Sequence, residues 1–175
     1  MKQILLIIAS YGFQPAEYSE PRQALEQAGI KVMVASDKPG IAIASNNKLK
    51  IPVDFTLDQV KPENFDGIFI IGGPGALKYL DNSKVYKIMQ AAAKSPTKLW
   101  GAICISPRIL AHANLLDHRN VTGWDDDHKL VNIFKNAGAN YINTSVVIDH
   151  NLITANGPKA AKEFGTAIVK ALNKI

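Results

Sequence analysis

Residues 99–110 read LWGAICISPRIL, an apolar run that passes directly into a stretch with the character of a helix. The run predicts a buried strand, and Pro107 suits the first turn of a helix, where its missing N–H costs nothing. A strand that turns sharply into a helix holds one side chain out at the carboxyl end of the strand. The sequence places Cys104, the one cysteine of the chain, at that point.

Two interpretations of Cys104 follow from this placement. Backbone N–H groups at a helix start favour negative charge, so the thiol should ionise more easily, and this predicts a reactive thiolate. Free cysteine is also among the most buried residue types, so a buried apolar role is the alternative. A single cysteine cannot form a disulfide within the chain, which agrees with a reducing compartment.

Apolar runs of the same kind alternate with helical patterns along the rest of the chain. Strands are predicted over residues 4–9, 30–35, 67–71, 98–103 and 120–122, with a hairpin over 145–149 and 152–154. Helices are predicted over residues 17–28, 83–94, from the Cys104 turn to about 114, 127–136 and 163–173. Residues 36–47 resemble a polar loop. The pattern predicts an α/β fold, a doubly wound and mainly parallel sheet with helices on both faces.

The composition is that of an ordinary globular protein, and 175 residues predict one domain over 1–175. No apolar stretch reaches the ~20 residues that a membrane helix needs, so no membrane partner is expected. The N-terminal run predicts a first buried strand rather than a signal peptide, which favours a cytoplasmic protein. The basic residues that give the net charge of +5 are scattered, so no nucleic-acid partner is expected.

In sheets of this type, ligands bind outside the carboxyl ends of the strands. Three features converge there: the loop after the first strand with Glu17, the Gly72-Gly73-Pro74-Gly75 loop, and Cys104. The glycine-rich loop lacks the spacing of a dinucleotide or phosphate loop, so no cofactor is predicted. The carboxylates of Asp125-Asp126-Asp127 point in different directions, so no metal is predicted, and Asp126 or Asp127 is expected to cap a helix.

Five markers occur in order along the chain. They are Glu17 four residues before Pro21, then Ala28-Gly29-Ile30-Lys31-Val32, Asp66 to Gly73, Ala102-Ile103-Cys104 with Pro107, and Thr154-Ala155-Asn156-Gly157-Pro158. In this order and spacing, the chain resembles the DJ-1/PfpI family, the flavodoxin-like relatives of class I glutamine amidotransferases. The resemblance covers essentially the whole chain. It implies a flavodoxin-like fold with a nucleophile-elbow cysteine and a homodimer.

The resemblance also implies roles for individual residues. Cys104 matches the elbow cysteine and Glu17 its acidic partner, which as a protonated carboxyl can donate a hydrogen bond to a thiolate. The backbone N–H groups of Gly73 and Ile105 match an oxyanion hole, and Gly72 would line the pocket. Taken without the resemblance, Glu17 is a surface carboxylate at a helix start, and Gly73 occupies a tight turn.

The chain departs from the family at two histidine positions. Ile105 follows the cysteine where the protease-like branch has histidine, and Trp124 stands where the DJ-1-like branch has one. Trp124 is expected either to line the pocket, which would favour a different, more apolar substrate, or to fill it, which would favour a family fold with an inactive or repurposed site. A cysteine–histidine pair is the usual way to activate a thiol for acyl transfer, so proteolysis is disfavoured.

Among the four histidines, His128 is the one candidate for a substitute base, provided that the loop after Trp124 folds over the site. His112 lies roughly two helical turns, ~12 Å along the axis, beyond the cysteine. His118 and His150 are expected to be solvated.

Three functions are therefore considered, each with a small molecule as partner. In the first, the Cys104 thiolate adds to a small reactive carbonyl and Glu17 moves protons, as in a glyoxalase or deglycase. In the second, the protein is an intracellular protease- or amidase-like hydrolase, or a hydratase, of small C–N substrates. In the third, it is a redox-sensing, stress-protective protein in which Cys104 is oxidised to a sulfinic acid that Glu17 hydrogen-bonds.

Overall fold

The computed structural model describes residues 1–174. Seven strands form the central sheet: β1 Gln3–Ile8, β3 Lys31–Ser36, β6 Phe55–Thr56, β7 Gly67–Ile70, β8 Leu99–Ile103, β11 Val146–Asp149 and β12 Leu152–Ala155. Their spatial order is β11-β12-β8-β7-β1-β3-β6. Every neighbouring pair is parallel except β11 and β12, which form the predicted antiparallel hairpin. The predicted α/β fold with a mainly parallel sheet is confirmed.

Six helices accompany the sheet: α1 Pro15–Gln27, α2 Ala76–Leu80, α3 Ser83–Lys94, α4 Pro107–His112, α5 Leu130–Asn136 and α6 Ala161–Leu172. Strand β1 shows why they cover both faces. Leu6 packs into one buried cluster with Leu25 of α1 and Phe164 of α6. Leu5, one residue earlier and on the opposite face of the strand, joins a second cluster with Met89 of α3. Buried on both sides, such a strand must be apolar throughout.

Four short strands lie outside the central sheet. β2 Tyr11–Phe13, β4 Ile41–Ala44 and β5 Lys50–Pro52 form one small sheet, and β9 Asn120–Val121 pairs with β10 Asn140–Tyr141. The prediction of a polar loop over 36–47 is wrong for β4, which pairs in parallel with β2 and antiparallel with β5. Strands of three or four residues carry too short a pattern to be distinguished from a loop when their partners are distant.

Helix α5 also begins later than predicted. The expected helix over 127–136 starts at Leu130, whose backbone N–H donates to the Asp125 carboxylate at 2.7 Å. The prediction that Asp126 or Asp127 caps this helix is therefore wrong. No helix in residues 1–174 is long and apolar enough to cross a membrane.

Candidate active site

Cys104 lies between the end of β8 and the start of α4, as the strand-to-helix pattern predicts. Its φ of 65° is unusual for a residue with a side chain and marks the sharp turn. Its backbone N–H donates to the carbonyl oxygen of Ala155 at 2.9 Å, which ties the turn to the end of β12. The residue is only 8% exposed, so the turn presents the thiol to a buried space rather than to open solvent.

Glu17 comes to the same place from the first turn of α1. The side chain of Gln14 accepts hydrogen bonds from the N–H groups of Ala16 and Glu17, and this cap starts the helix two residues earlier than predicted. Glu17 is 0% exposed, so it is not a surface carboxylate. Neither of its carboxyl oxygens has a hydrogen-bond partner of normal geometry.

Gly72, at the end of β7, lies between these two residues. A Cβ atom at Gly72 would stand 2.5 Å from Glu17 Oε2 and 2.6 Å from Cys104 Cβ. Both distances are shorter than any stable contact, so the absence of a side chain at Gly72 is what lets the carboxyl approach the cysteine. That Gly72 lines a ligand pocket stays a prediction.

Burial raises the pKa of Glu17 from 4.5 to about 7. The thiol of Cys104 and the backbone N–H of Gly72 act in the opposite direction but do not outweigh the loss of hydration. Near neutral pH the carboxyl is therefore divided between its protonated and ionised forms. A group in that condition is suited to both donating and accepting a proton.

The Cys104 thiol has its pKa raised well above its ordinary value of 9.0. Burial is the largest cause, followed by the negative charge of Glu17. The expectation that a helix start eases ionisation is corrected here. Helix α4 has only six residues, and its few N–H groups do not offset the burial of the sulfur.

Cys104 and Glu17 form one coupled pair. Two neighbouring negative charges are strongly disfavoured in a buried site, so near neutral pH the pair holds at most one negative charge. In the singly charged form, the remaining proton can reside on sulfur or on the carboxyl oxygen. The form with the proton on Glu17 contains the nucleophilic thiolate.

Two backbone N–H groups face the thiol and lower its pKa, those of Gly73 and Ile105. These are the residues predicted to form an oxyanion hole, and the fold brings them together at the sulfur. Gly73 has a φ of 119°, and a Cβ there would stand 2.5 Å from the backbone nitrogen of Gln14. Only glycine can therefore hold this amide in place.

Trp124 closes the site from the chain segment after β9. Its backbone N–H donates to the carbonyl oxygen of Cys104 at 2.7 Å, and its half-buried ring packs against the same apolar cluster as the cysteine. That Trp124 lines a ligand pocket stays a prediction.

Arg108 holds this segment down, and the sequence reasoning missed it. It is 4% exposed, and its guanidinium makes two hydrogen bonds to the Asp127 carboxylate at 2.9 and 2.6 Å. It also donates to the carbonyl oxygen of Trp124 at 3.2 Å and lies 5.5 Å from the centre of its ring. We call these three residues the arginine clamp.

The arginine clamp explains why Asp127 does not cap a helix. Arg108 lowers the pKa of the Asp127 carboxyl to about 2, so the ion pair persists throughout the ordinary pH range. A signal was present in the sequence: a cation among the apolar residues that follow the cysteine must find an anion when its helix is buried.

The structure does not bring a histidine to the thiol. His128 is exposed, on a turn with a φ of 57°, and the polar groups that shift the thiol pKa are Glu17, Ile105 and Gly73 instead. His112 Nδ1 lies 2.8 Å from the Asp81 carboxylate, while His118 and His150 are exposed. Residues 1–174 contain no group of three or more His, Cys, Asp or Glu side chains arranged for a metal ion.

Comparison with known proteins agrees with this geometry. The profile of the DJ-1/PfpI family matches residues 2–171. An uncharacterized protein of Methanocaldococcus jannaschii is 34% identical over 173 residues, which cover 98% of this chain and 83% of that protein. An uncharacterized protein of Staphylococcus epidermidis is 31% identical over 176 residues, which cover 98% of this chain and 98% of that protein.

Solved structures show the same fold. The ThiJ/PfpI domain protein from Brachyspira murdochii superimposes with a TM-score of 0.91 at 28% identity, covering 99% of this chain and 97% of that one. Drosophila melanogaster DJ-1beta gives a TM-score of 0.86 at 30% identity, covering 98% of this chain and 90% of that one.

Proposed function

Because the chain belongs to the DJ-1/PfpI family, we propose that it is an enzyme that converts small 2-oxoaldehydes, such as methylglyoxal, into 2-hydroxy acids without glutathione. One observation carries the proposal. A buried cysteine is paired with a buried carboxyl whose pKa is about 7, and the pairing involves no histidine. This chemistry requires one nucleophile and one group that both gives and takes a proton near neutral pH.

The first step is addition of sulfur to the aldehyde. In the form of the pair with the proton on Glu17, Cys104 Sγ attacks the aldehyde carbon and forms a C–S bond. The carbonyl oxygen receives the proton from Glu17, and the product is a hemithioacetal. The N–H groups that face the thiol, those of Gly73 and Ile105, support the negative charge that develops on this oxygen.

The second step is a proton transfer between neighbouring carbons. The Glu17 carboxylate removes the proton from the carbon bonded to sulfur, which gives an enediolate. It then returns that proton to the adjacent carbon, while the hydroxyl proton of the first carbon passes to the oxygen of the second. The product is a thioester of the 2-hydroxy acid. Water hydrolyses the thioester and restores the thiol. One 2-oxoaldehyde and one water become one 2-hydroxy acid, so the scheme needs no cofactor.

The site supports this reaction better than peptide hydrolysis. A cysteine hydrolase uses an imidazole to activate the thiol and to protonate the leaving amine. Of the chain's four histidines, none acts on the Cys104 thiol.

Methylglyoxal turnover tests the proposal. The purified protein is incubated with methylglyoxal without added thiol, and lactate is quantified by NMR. We expect lactate from the wild type, none from Cys104→Ser, and a loss of at least about a hundredfold from Glu17→Gln, the usual range for removing a general acid–base. Glu20→Gln, on the same helix, is the matched control and should keep full activity. Lactate formation by Cys104→Ser equal to that of the wild type would refute the mechanism.

The buried Glu17 carboxyl beside Cys104 favours a second candidate, a stress-protective role through oxidation of Cys104. The protonated carboxyl could donate a hydrogen bond to a sulfinic acid formed at Cys104. Intact-mass analysis after treatment with peroxide measures this outcome. Addition of two oxygen atoms at Cys104 in the wild type, with less in Glu17→Gln and no lactate formation by either protein, would favour this role over catalysis.

A further inference from the structure

A cavity lies at the opposite end of the sheet from Cys104. It has a volume of about 790 Å³ and opens at the amino ends of β8 and β12, where Leu99 and Asn151 line it. This volume falls within the range typical of pockets for small molecules. The proposed reaction uses none of its residues, so the cavity has no role assigned by the family chemistry described above.

The cavity wall concentrates positive charge. Lys94 at the end of α3, Arg119 before β9, and Lys170 and Lys174 at and after the end of α6 all line it. His150 lines it as well, and none of the described lining residues is Asp or Glu. The whole chain has a net charge of only +5, so four permanent cations around one cavity form a strong local excess.

Arg119 is held in place by two contacts. Its guanidinium lies 5.9 Å from the centre of the buried Trp100 ring, and its Nη1 lies 3.6 Å from the Asp149 carboxylate. That carboxylate also accepts the backbone N–H of Asn120 at 2.7 Å, so it is shared. Lysine is favoured in the last turn of a helix, and this preference explains the positions of Lys94 and Lys170. It does not explain Arg119, which is not at a helix end.

The remaining wall is apolar. Leu99, Ala167 and Ala171 contribute to it, and Ile148 is 56% exposed although it is a large aliphatic residue. An apolar wall within a ring of separated cations matches a ligand with an organic body and several negative charges. Lysine acts on phosphate as a point charge, and arginine binds phosphate through its planar fork.

We propose that this cavity binds a small organic molecule that carries two or more phosphate groups. A nucleic acid strand fits less well, because the described wall contains no Phe, Tyr or Trp ring on which bases could stack. The proposal is independent of the chemistry at Cys104. Ligand binding and turnover are separate measurements.

Calorimetric titration with ADP and with inorganic pyrophosphate tests the proposal, at 50 mM and 200 mM salt. We expect saturable binding of one molecule per chain, weaker at high salt, and tighter for ADP because of its organic body. Lys94→Gln combined with Lys170→Gln should weaken binding by about tenfold or more. Lys48→Gln combined with Lys50→Gln removes the same charge from two exposed positions that do not line the cavity and should change affinity less than about twofold.

Three results would overturn the proposal. The first is no saturable binding of either probe at millimolar concentration. The second is equal weakening by both double variants, which would show attraction to the net charge alone. The third is displacement of ADP by a single-stranded oligonucleotide that binds more tightly, which would assign the cavity to nucleic acid. Cys104→Ser should bind ADP as the wild type does, so failure of the proposed enzymatic function leaves this test intact.

Discussion

The buried carboxyl of Glu17 should impose a measurable dependence of stability on pH. Its pKa is 4.5 when it is solvated and about 7 in the folded protein, so the folded state binds this proton more tightly than the unfolded state does. The contribution to stability is complete below pH 4.5 and is lost as the pH rises to about 7. At about 1.4 kcal/mol for each factor of ten, the loss amounts to about 3 kcal/mol.

Glu17→Gln removes this dependence, because an amide of the same shape does not titrate. We expect the free energy of unfolding of the variant, relative to that of the wild type, to rise by about 3 kcal/mol between pH 4.5 and pH 8. The Cys104 thiol stays protonated over this range in both the folded and the unfolded state, so it adds no slope of its own. The comparison between two pH values cancels any constant cost of burying the amide.

Urea denaturation at intervals from pH 4.5 to pH 8 measures this difference. Glu20→Gln is the control, since Glu20 lies one turn further along α1, is only half buried and forms no ion pair. Its profile should remain parallel to that of the wild type. If the profile of Glu17→Gln is also parallel within about 0.5 kcal/mol, the carboxyl does not bind its proton more tightly on folding, and Glu17 loses its proposed role as a neutral-pH acid and base.

Three further predictions concern the same region. Cys104→Ser should unfold within about 1 kcal/mol of the wild type in urea, because the two side chains differ little in volume. Gly72→Ala should lower the free energy of unfolding by about 1–3 kcal/mol, because its Cβ would overlap a carboxyl oxygen at 2.5 Å; an unchanged midpoint would contradict the packing described. Asp127→Ala removes the carboxylate that pairs with Arg108 and so loosens the arginine clamp that contacts Trp124. We therefore expect iodoacetamide to alkylate the Cys104 thiol several-fold faster in this variant. Asp126 is exposed, and Asp126→Ala should leave the alkylation rate unchanged.

The central strands were predictable because strands buried on both faces consist of apolar residues, and such runs are visible in the sequence. Residues of β1, β7 and β8 are buried on both faces, so each strand must be an unbroken apolar run. The hairpin of β11 and β12 was predictable for another reason, since its two strands are separated by only two residues. By contrast, β2 and β4 pair although about thirty residues of sequence separate them, and the residue pattern of neither strand identifies the other as its partner.

The proximity of Cys104, Glu17, Gly73 and Ile105 could be expected from the sequence and the resemblance, but the electrostatics of these groups could not. Cys104 stands where the strand-to-helix pattern puts it, and the resemblance to the family identified Glu17 and the two amides of Gly73 and Ile105. The pKa of the Cys104 thiol is raised, whereas the helix start predicted that it would be lowered. The sequence shows the helix start but not the burial that outweighs its effect on the pKa. Whether these residues catalyse a reaction stays a prediction.

The sequence by itself determined the order of strands and helices, the turn that carries the cysteine and the absence of histidine from its two familiar neighbours. These are local properties, since periodicity and residue type act over a few positions of the chain. Only the tertiary structure decided that Glu17 is buried and that Asp127 pairs with Arg108 instead of capping a helix. It also decided that cations from three segments distant in sequence line one cavity. Desolvation and ion pairing depend on which groups the fold brings within a few ångströms of each other, and no stretch of sequence contains that information.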